Sequence, residues 1–251
     1  MTADFTLAGY SALVEALLGR GYKVVGYGDA DPAARHLILR HDLDMSIDAA
    51  LPLAHIETAL GVKASYFVLL RAETYNPWAA AARDQIRQIL DLGHEIGLHF
   101  DASLYSEDPV ALDRAAAQEC GALEALAGAA IETVSFHRPA VKLLGRDAEI
   151  AGRRHTYQPR YFSEMGYCSD SRGEWSHGHP FDHPALDEDR ALQLLIHPIW
   201  WNRDEAADPV RVLDRFRIER DIALAAALSA NCMPYREVRG DTPGPRSRED
   251  E

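Results

Sequence analysis

What most constrains this chain is the alternation of short apolar runs with longer stretches of helical periodicity. Residues 36–41, 64–70, 95–100, 131–136 and 191–197 are runs rich in Leu, Ile, Val, Phe and Tyr, as expected of strands buried on both faces. Between them the pattern changes to that of helices. Leu7, Tyr10, Leu13, Leu17 and Leu18 recur at helical spacing and stop at Gly19 and Gly21; Ser46 offers a cap for a helix reaching Leu60. Asn76-Pro77 and Asp108-Pro109 each place a proline in a first helical turn, the second helix running to about Ala127. Asp208-Pro209 opens a last, long helix with Val210, Leu213 and Phe216 on one face. Residues 140–189 read mainly as loops, with one short strand candidate at 167–169. Such alternation gives right-handed βαβ crossovers and a parallel sheet. A chain of 251 residues then suits an α/β fold in which a closed or distorted (β/α) barrel is more natural than an open sheet, with five strands visible and up to seven in all. One domain is expected over residues 1–239, followed by a disordered tail at 240–251, with no repeat and no linker.

In a parallel architecture, functional groups collect where the strands end at their carboxyl side. Here the strands end in His41-Asp42-Leu43-Asp44, His99-Phe100-Asp101, His137-Arg138-Pro139 and His197-Pro198. One rim would thus gather imidazoles and carboxylates, the makings of a metal site with acid and base groups. Asp42 and Asp44 are two apart, so along an extended chain they point the same way and can share a cation or divide its duties. Mixed imidazole and carboxylate ligands suit Zn²⁺, Fe²⁺, Co²⁺ or Ni²⁺ better than Mg²⁺ or Ca²⁺. Cys120, Cys168 and Cys232 are odd in number and far apart, which fits neither a disulfide framework nor a thiolate site.

These ordered segments resemble a known family. His41-Asp42-Leu43-Asp44, Gly93-His94-Glu95-Ile96-Gly97-Leu98-His99, Phe136-His137-Arg138-Pro139, Ser169-Asp170 to Trp175, and Leu195-Ile196-His197 look like the five motifs of the polysaccharide deacetylase superfamily, which includes chitin and peptidoglycan deacetylases. The resemblance spans residues 36–201. It implies a distorted barrel and metal-dependent hydrolysis of an N-acyl or O-acyl group on a sugar. It implies Asp42 as general base and Asp44 as metal ligand, although Leu43 separates them where the family usually has adjacent aspartates. It makes His99 a second ligand, Arg138 the arginine that orients the base, and His197 the general acid. Ser103 stands where the family has a further ligand histidine. Asp101 is the first replacement for that ligand and His137 the next. His137, Asp170, Trp175 and Trp201 are otherwise expected at the substrate, the tryptophans by stacking on sugar rings.

Other polar residues carry bland expectations. His94 should bond locally, Glu95 and Glu119 should be solvated or helix-face charges, and His177, His179 and His183 should lie in an exposed loop or lid. The balance of 26 Lys and Arg against 39 Asp and Glu, a net charge of −13, argues against nucleic acid. No stretch approaches the roughly 20 apolar residues of a membrane span, and residues 1–10 lack the pattern of a signal peptide. The expectation is therefore a cytoplasmic enzyme that uses a divalent transition metal, most simply Zn²⁺. It would remove an acetyl or formyl group from a nucleotide-linked or lipid-linked amino sugar bound for a surface polysaccharide such as O-antigen or capsule. The alternatives are a non-sugar amide hydrolase of the same superfamily, and a carbohydrate-binding barrel that has lost activity.

Overall fold

A computed structural model describes residues 5–175, 178–202 and 208–239. The chain divides into two compact units, Met1–Ala206 and Ala207–Glu251. In the first unit the helices are α1 (Leu7–Gly19), α2 (Ala50–Ala59), α3 (Ala80–Asp91), α4 (Pro109–Ala127), α5 (Pro159–Phe162) and α6 (Pro184–Asp187). Its strands are β1 (Lys23–Val24), β2 (His36–Leu43), β3 (Ser65–Leu69), β4 (Glu95–Phe100), β5 (Thr133–Phe136), β6 (Arg154–His155), β7 (Gly166–Ser169) and β8 (Leu192–Ile196). The second unit holds α7 (Pro209–Asn231) and α8 (Met233–Arg239). The expected tail at 240–251 lies outside the described residues.

The strands pair in parallel in the order β6-β5-β4-β3-β2-β8-β7, with β1 pairing β2 off this path. The seven strands of this path curl into a half-barrel with helices, the distorted (β/α) barrel read from the sequence. Its ends, β6 and β7, do not pair, yet Tyr157 just past β6 and Tyr167 on β7 bring their rings to 6.4 Å across the seam. The curl is equally visible from the middle strand, where Arg40 of β2 reaches Ser135 on β5 and Gln193 on β8.

Local chemistry accounts for the elements. Thr6, Asp108 and Asp208 cap α1, α4 and α7 by accepting backbone N–H groups, each cap offsetting orphan donors of the first turn. Ser46 accepts from Ala49 N at 3.3 Å ahead of α2. Asn76 accepts from Trp78 N in a turn rather than a cap, so α3 begins only at Ala80. Inside the barrel, Tyr27, Ile38, Phe67, Tyr161 and Met165 pack as a buried cluster. Gly97 makes room for it: a methyl there would collide with the Phe67 ring and the Thr133 carbonyl.

β2 divides its residues between two environments, because successive side chains in a strand face opposite ways. His41 turns to the helices, where Glu57 of α2 accepts from Tyr66 at 2.6 Å and from Tyr10 of α1, and meets His41 Nε2 at 2.6 Å. Arg40 and Asp42 turn inward. Every strand runs the same way, so the segments following β2, β4, β5, β7 and β8 lie at one rim.

Candidate active site

Three side chains of that rim converge. Asp44 Oδ1 lies 2.9 Å from His99 Nε2 and 3.5 Å from His137 Nδ1, and the two imidazole nitrogens are 3.1 Å apart. These atoms form a group able to hold a metal ion. Donors ~2.0–2.1 Å from a tetrahedral Zn²⁺ would stand roughly 3.4 Å from one another, close to the spacing here. Asp44 Oδ1 is also buried, with two ring nitrogens facing it. Burial would raise the Asp44 pKa, but the His137, His99 and His197 imidazoles hold it well below the usual carboxylate range. The donor set thus fits a small divalent transition metal.

His137 therefore occupies the third position of the cluster, and Asp101 does not. The reason is backbone geometry. His137 N donates to Phe100 O at 2.9 Å, so the β4–β5 ladder continues through His137 and carries its ring beside His99. Asp101 has already left the ladder: its Oδ1 accepts from Ser103 N at 3.0 Å and from Ser103 Oγ at 2.5 Å, capping the single turn that follows β4.

Asp42 sits below the cluster, buried, with Oδ2 3.7 Å from His99 Nε2. Arg40, two residues earlier on the same face, grips it with both ends of its guanidinium, Nε to Oδ1 at 3.0 Å and an Nη to Oδ2 at 2.7 Å. The same Nη donates to Ser135 Oγ at 2.6 Å and Tyr157 OH at 3.1 Å. Burial would raise the Asp42 pKa, but Arg40 and the imidazoles of His99 and His197 hold it below its usual value, so Asp42 is a carboxylate at neutral pH. Arg138, the expected orienting residue, is exposed past β5 with φ at 45°. The arginine on Asp42 is Arg40.

On the far side of the rim, Asp170 organises His197. Asp170 Oδ1 is 2.6 Å from His197 Nδ1 and accepts from His197 N at 2.9 Å; Trp201 Nε1 donates to Oδ2 at 2.6 Å. Burial disfavours a charged imidazole, yet the Asp170 carboxylate, with Asp44 and Asp42 behind it, pushes the His197 pKa up to about 9. His197 Nε2 remains directed toward the cluster, 3.8 Å from Asp44 Oδ2. Asp170 and Trp201 are buried, at 0% and 2% exposure, so neither presents a face to a sugar; both serve His197. Trp175 is half-buried and packs on Phe5 and Trp201.

The remaining polar residues take structural places. His94 accepts from Ala64 N at 3.1 Å and faces Ala54 O at 2.9 Å. Glu119 is buried rather than solvated, accepting from Arg71 Nε at 2.8 Å and from Tyr105 OH, which fastens the loop after β3 to α4. His179 and His183 accept from Phe181 N and Ala185 N as short-range caps, and His177 lies outside the described residues. Among the described residues, no helix is long and apolar enough to cross a membrane.

No family model and no curated protein matches the chain. Solved structures do. A family 4 carbohydrate esterase from Bacillus anthracis is similar at 15% identity and a TM-score of 0.44, covering 83% of this chain and 86% of that one. The peptidoglycan deacetylase PdaC from Bacillus subtilis is similar at 14% identity and a TM-score of 0.39, covering 84% and 94%. A CE4 family pseudoenzyme from Bacillus anthracis is similar at 12% identity and a TM-score of 0.40, covering 76% and 62%. These likenesses leave the reading of the site to its own geometry. The chain resembles the polysaccharide deacetylase superfamily in its ordered motifs.

Proposed function

We propose that this protein is a metal-dependent hydrolase that removes a small acyl group, acetyl or formyl, from the nitrogen of an amino sugar. The observation that carries the reading is the convergence of Asp44, His99 and His137 between a buried carboxylate, Asp42, and an imidazole, His197, that is basic enough to be protonated. Asp44, His99 and His137 would hold the cation, Zn²⁺ by the mix of donors, with Fe²⁺, Co²⁺ or Ni²⁺ also suited. When bound, such a cation polarises an acyl carbonyl and lowers the pKa of a water toward 7. Asp42 takes the proton of the water that adds to the carbonyl carbon, and Arg40 keeps its carboxylate ionised and aimed. His197 gives its Nε2 proton to the nitrogen as the C–N bond breaks, and Asp170 stabilises the imidazolium beforehand. The products are a carboxylic acid and a free amine.

An anionic substrate is supported by two arginines at the rim. Arg138 follows His137 and Arg172 follows Asp170 by two residues; both are exposed and in the left-handed region, φ 45° and 68°. Neither pairs with a carboxylate among the described residues. On a chain of charge −13, they offer a place for the phosphate of a nucleotide-linked or lipid-linked sugar. A precursor of this kind places the protein in the cytoplasm, in the making of a surface polysaccharide such as O-antigen or capsule. The cluster completed by His137 weighs against the inactive-barrel alternative, because the absent histidine at Ser103 is replaced.

The test is a screen of N-acetyl and N-formyl amino sugars, free, nucleotide-linked and lipid-linked, for amine release by the Zn²⁺-loaded protein. Release from the phosphate-bearing sugars is expected. Release from none, with non-sugar amides cleaved instead, overturns the sugar reading in favour of a general amide hydrolase.

A further inference from the structure

We propose that Thr74 and Tyr75 are positioning residues: from the loop after β3 they grip the main chain on both sides of Asp44 and so place its carboxylate opposite His99 and His137. The inference rests on the reading of that cluster as a cation site. It starts from an asymmetry among the three donors. His99 lies within the sheet, paired with Leu69 of β3 on one side and Ser135 of β5 on the other. His137 is carried by the β4–β5 ladder through its bond to Phe100 O. Asp44 stands beyond the paired part of β2. The last register pair of β2 with β8 is His41 with Ile196, the last with β3 is Leu43 with Val68, and the chain bends at Asp44 and Met45 on its way to α2.

The neighbouring loop holds that bend. After β3 the chain turns back at once, Ala72 N donating to Leu69 O at 3.2 Å, and Arg71 Nε ties the turn to Glu119 of α4 at 2.8 Å. Thr74 and Tyr75 thereby come to lie beside the end of β2. Tyr75 OH donates to Leu43 O at 2.7 Å, and Thr74 Oγ1 donates to Met45 O at 2.9 Å. The residue between those two carbonyls is Asp44. The Tyr75 hydroxyl also accepts from Leu69 N at 2.9 Å, so one oxygen, both donating and accepting, bridges the last residues of β2 and β3. Leu69 is the register partner of His99. The bridge therefore joins the stretch of chain that bears Asp44 to the strand beside His99.

Holding the main chain here matters because the donors stand close to the spacing a cation needs, Asp44 Oδ1 being 2.9 and 3.5 Å from the two ring nitrogens. A shift of about 0.5 Å is enough to loosen a preorganised site. A bend freed from both hydroxyls would also regain conformational freedom that binding must then remove. Groups that orient the ligands of a metal commonly carry about 10–100-fold of its affinity.

Two measurements decide the matter, and neither needs turnover. The first titrates metal-free protein with Zn²⁺ against a chromophoric chelator. Tyr75→Phe keeps the ring, Thr74→Val keeps the shape, and the double variant should bind about 10–100-fold more weakly. Thr74→Ser, which keeps its hydroxyl, should bind as the native protein does. Tyr66→Phe is the matched control: it removes a buried tyrosine hydroxyl from the helix side of the sheet, where Tyr66 donates to Glu57 at 2.6 Å, and its affinity should be native. Native affinity in the double variant overturns the proposal, and so does an equal fall in Tyr66→Phe, which would make the loss one of general stability. The second measurement is the ¹H–¹⁵N spectrum of the metal-free double variant. The amides of Asp44 and Ser46, which adjoin the two gripped carbonyls, should shift and broaden; unmoved signals also overturn the proposal. A native protein that binds no Zn²⁺ defeats the cation-site reading instead, and those two amide signals then decide the clasp alone.

Discussion

His197 and Asp170 are 27 residues apart in sequence and joined twice in space, ring to carboxylate at 2.6 Å and backbone N–H to carboxylate at 2.9 Å. The Asp170 carboxylate overcomes the burial that would lower the His197 pKa and sets it at about 9. The sign is that of a raised base: the protonated form predominates below about 9 and is lost as pH rises through it, as is the stability the pair contributes. Activity that needs the His197 proton should therefore fall on an alkaline limb. Asp170→Asn should move that limb down by one to two units, roughly toward the ordinary imidazole value. A pH profile of kcat/KM checks this; an unmoved limb would remove His197 from the role of acid.

Asp42 is held by Arg40 at 3.0 and 2.7 Å but is absent from the convergent Asp44, His99 and His137 group. Metal content and turnover should accordingly separate. Asp42→Asn keeps the shape and removes the proton acceptor, so turnover should fall by about 10²–10⁴-fold while bound metal stays at the native level. Retained turnover in the purified variant would show that another group takes the proton.

The proposed third ligand, His137, gives a sharper comparison. His137→Ala should lose bound metal and activity together, because two donors remain where three converge. Asp101→Ala should keep its metal, because Asp101 is spent on Ser103; loss of one exposed cap costs about 1 kcal/mol. Elemental analysis of the two purified variants decides between them.

Why Arg40 escaped the motif comparison, and why Asp101 ranked ahead of His137, is a matter of geometry that spacing alone does not encode. The strands β2, β4, β5 and β8 were legible because long apolar runs name them, and with them came the rim and most of its residues. Arg40 lies inside such a run, where a charge looks like an interruption. Yet the alternation that put Asp42 and Asp44 on one face also puts Arg40 there, so its role was readable. Asp101 and His137 differ in whether the ladder continues past the strand end, and that depends on Phe100 accepting from His137 N. Ser135 and Tyr157 meet Arg40, and Trp201 meets Asp170, only through tertiary contacts. The two-residue strands β1 and β6 are too short for any period to show.

The rim arginines make substrate charge testable. If Arg138 and Arg172 hold a phosphate, Arg172→Glu should raise KM for a phosphate-bearing sugar by about tenfold or more, an ion-pair energy near 1.4 kcal/mol. Its kcat should hardly change, because Arg172 is not among the groups that move protons. For a neutral N-acyl sugar, KM should stay or fall. Equal effects on both substrates would place the anion elsewhere.

The helix side of β2 should matter for stability and leave chemistry alone. Glu57 accepts from Tyr10 and Tyr66 and meets His41, all fully buried. Burial would raise its pKa, but His41 and the two tyrosine hydroxyls hold it below the usual value. The stability it contributes is therefore present above the ordinary carboxylate pKa and is lost as pH falls through the folded one. Glu57→Leu would strand two hydroxyls and an imidazole without their acceptor, which should cost about 3–5 kcal/mol. For a unit of this size that lowers Tm by roughly 6–20 °C. The folded fraction should still turn over at the native rate, since Asp42 faces the opposite side of the strand from His41. Thermal unfolding together with kcat measured well below the new Tm separates the two effects, and a loss of kcat without a drop in Tm would mean that the network reaches the site.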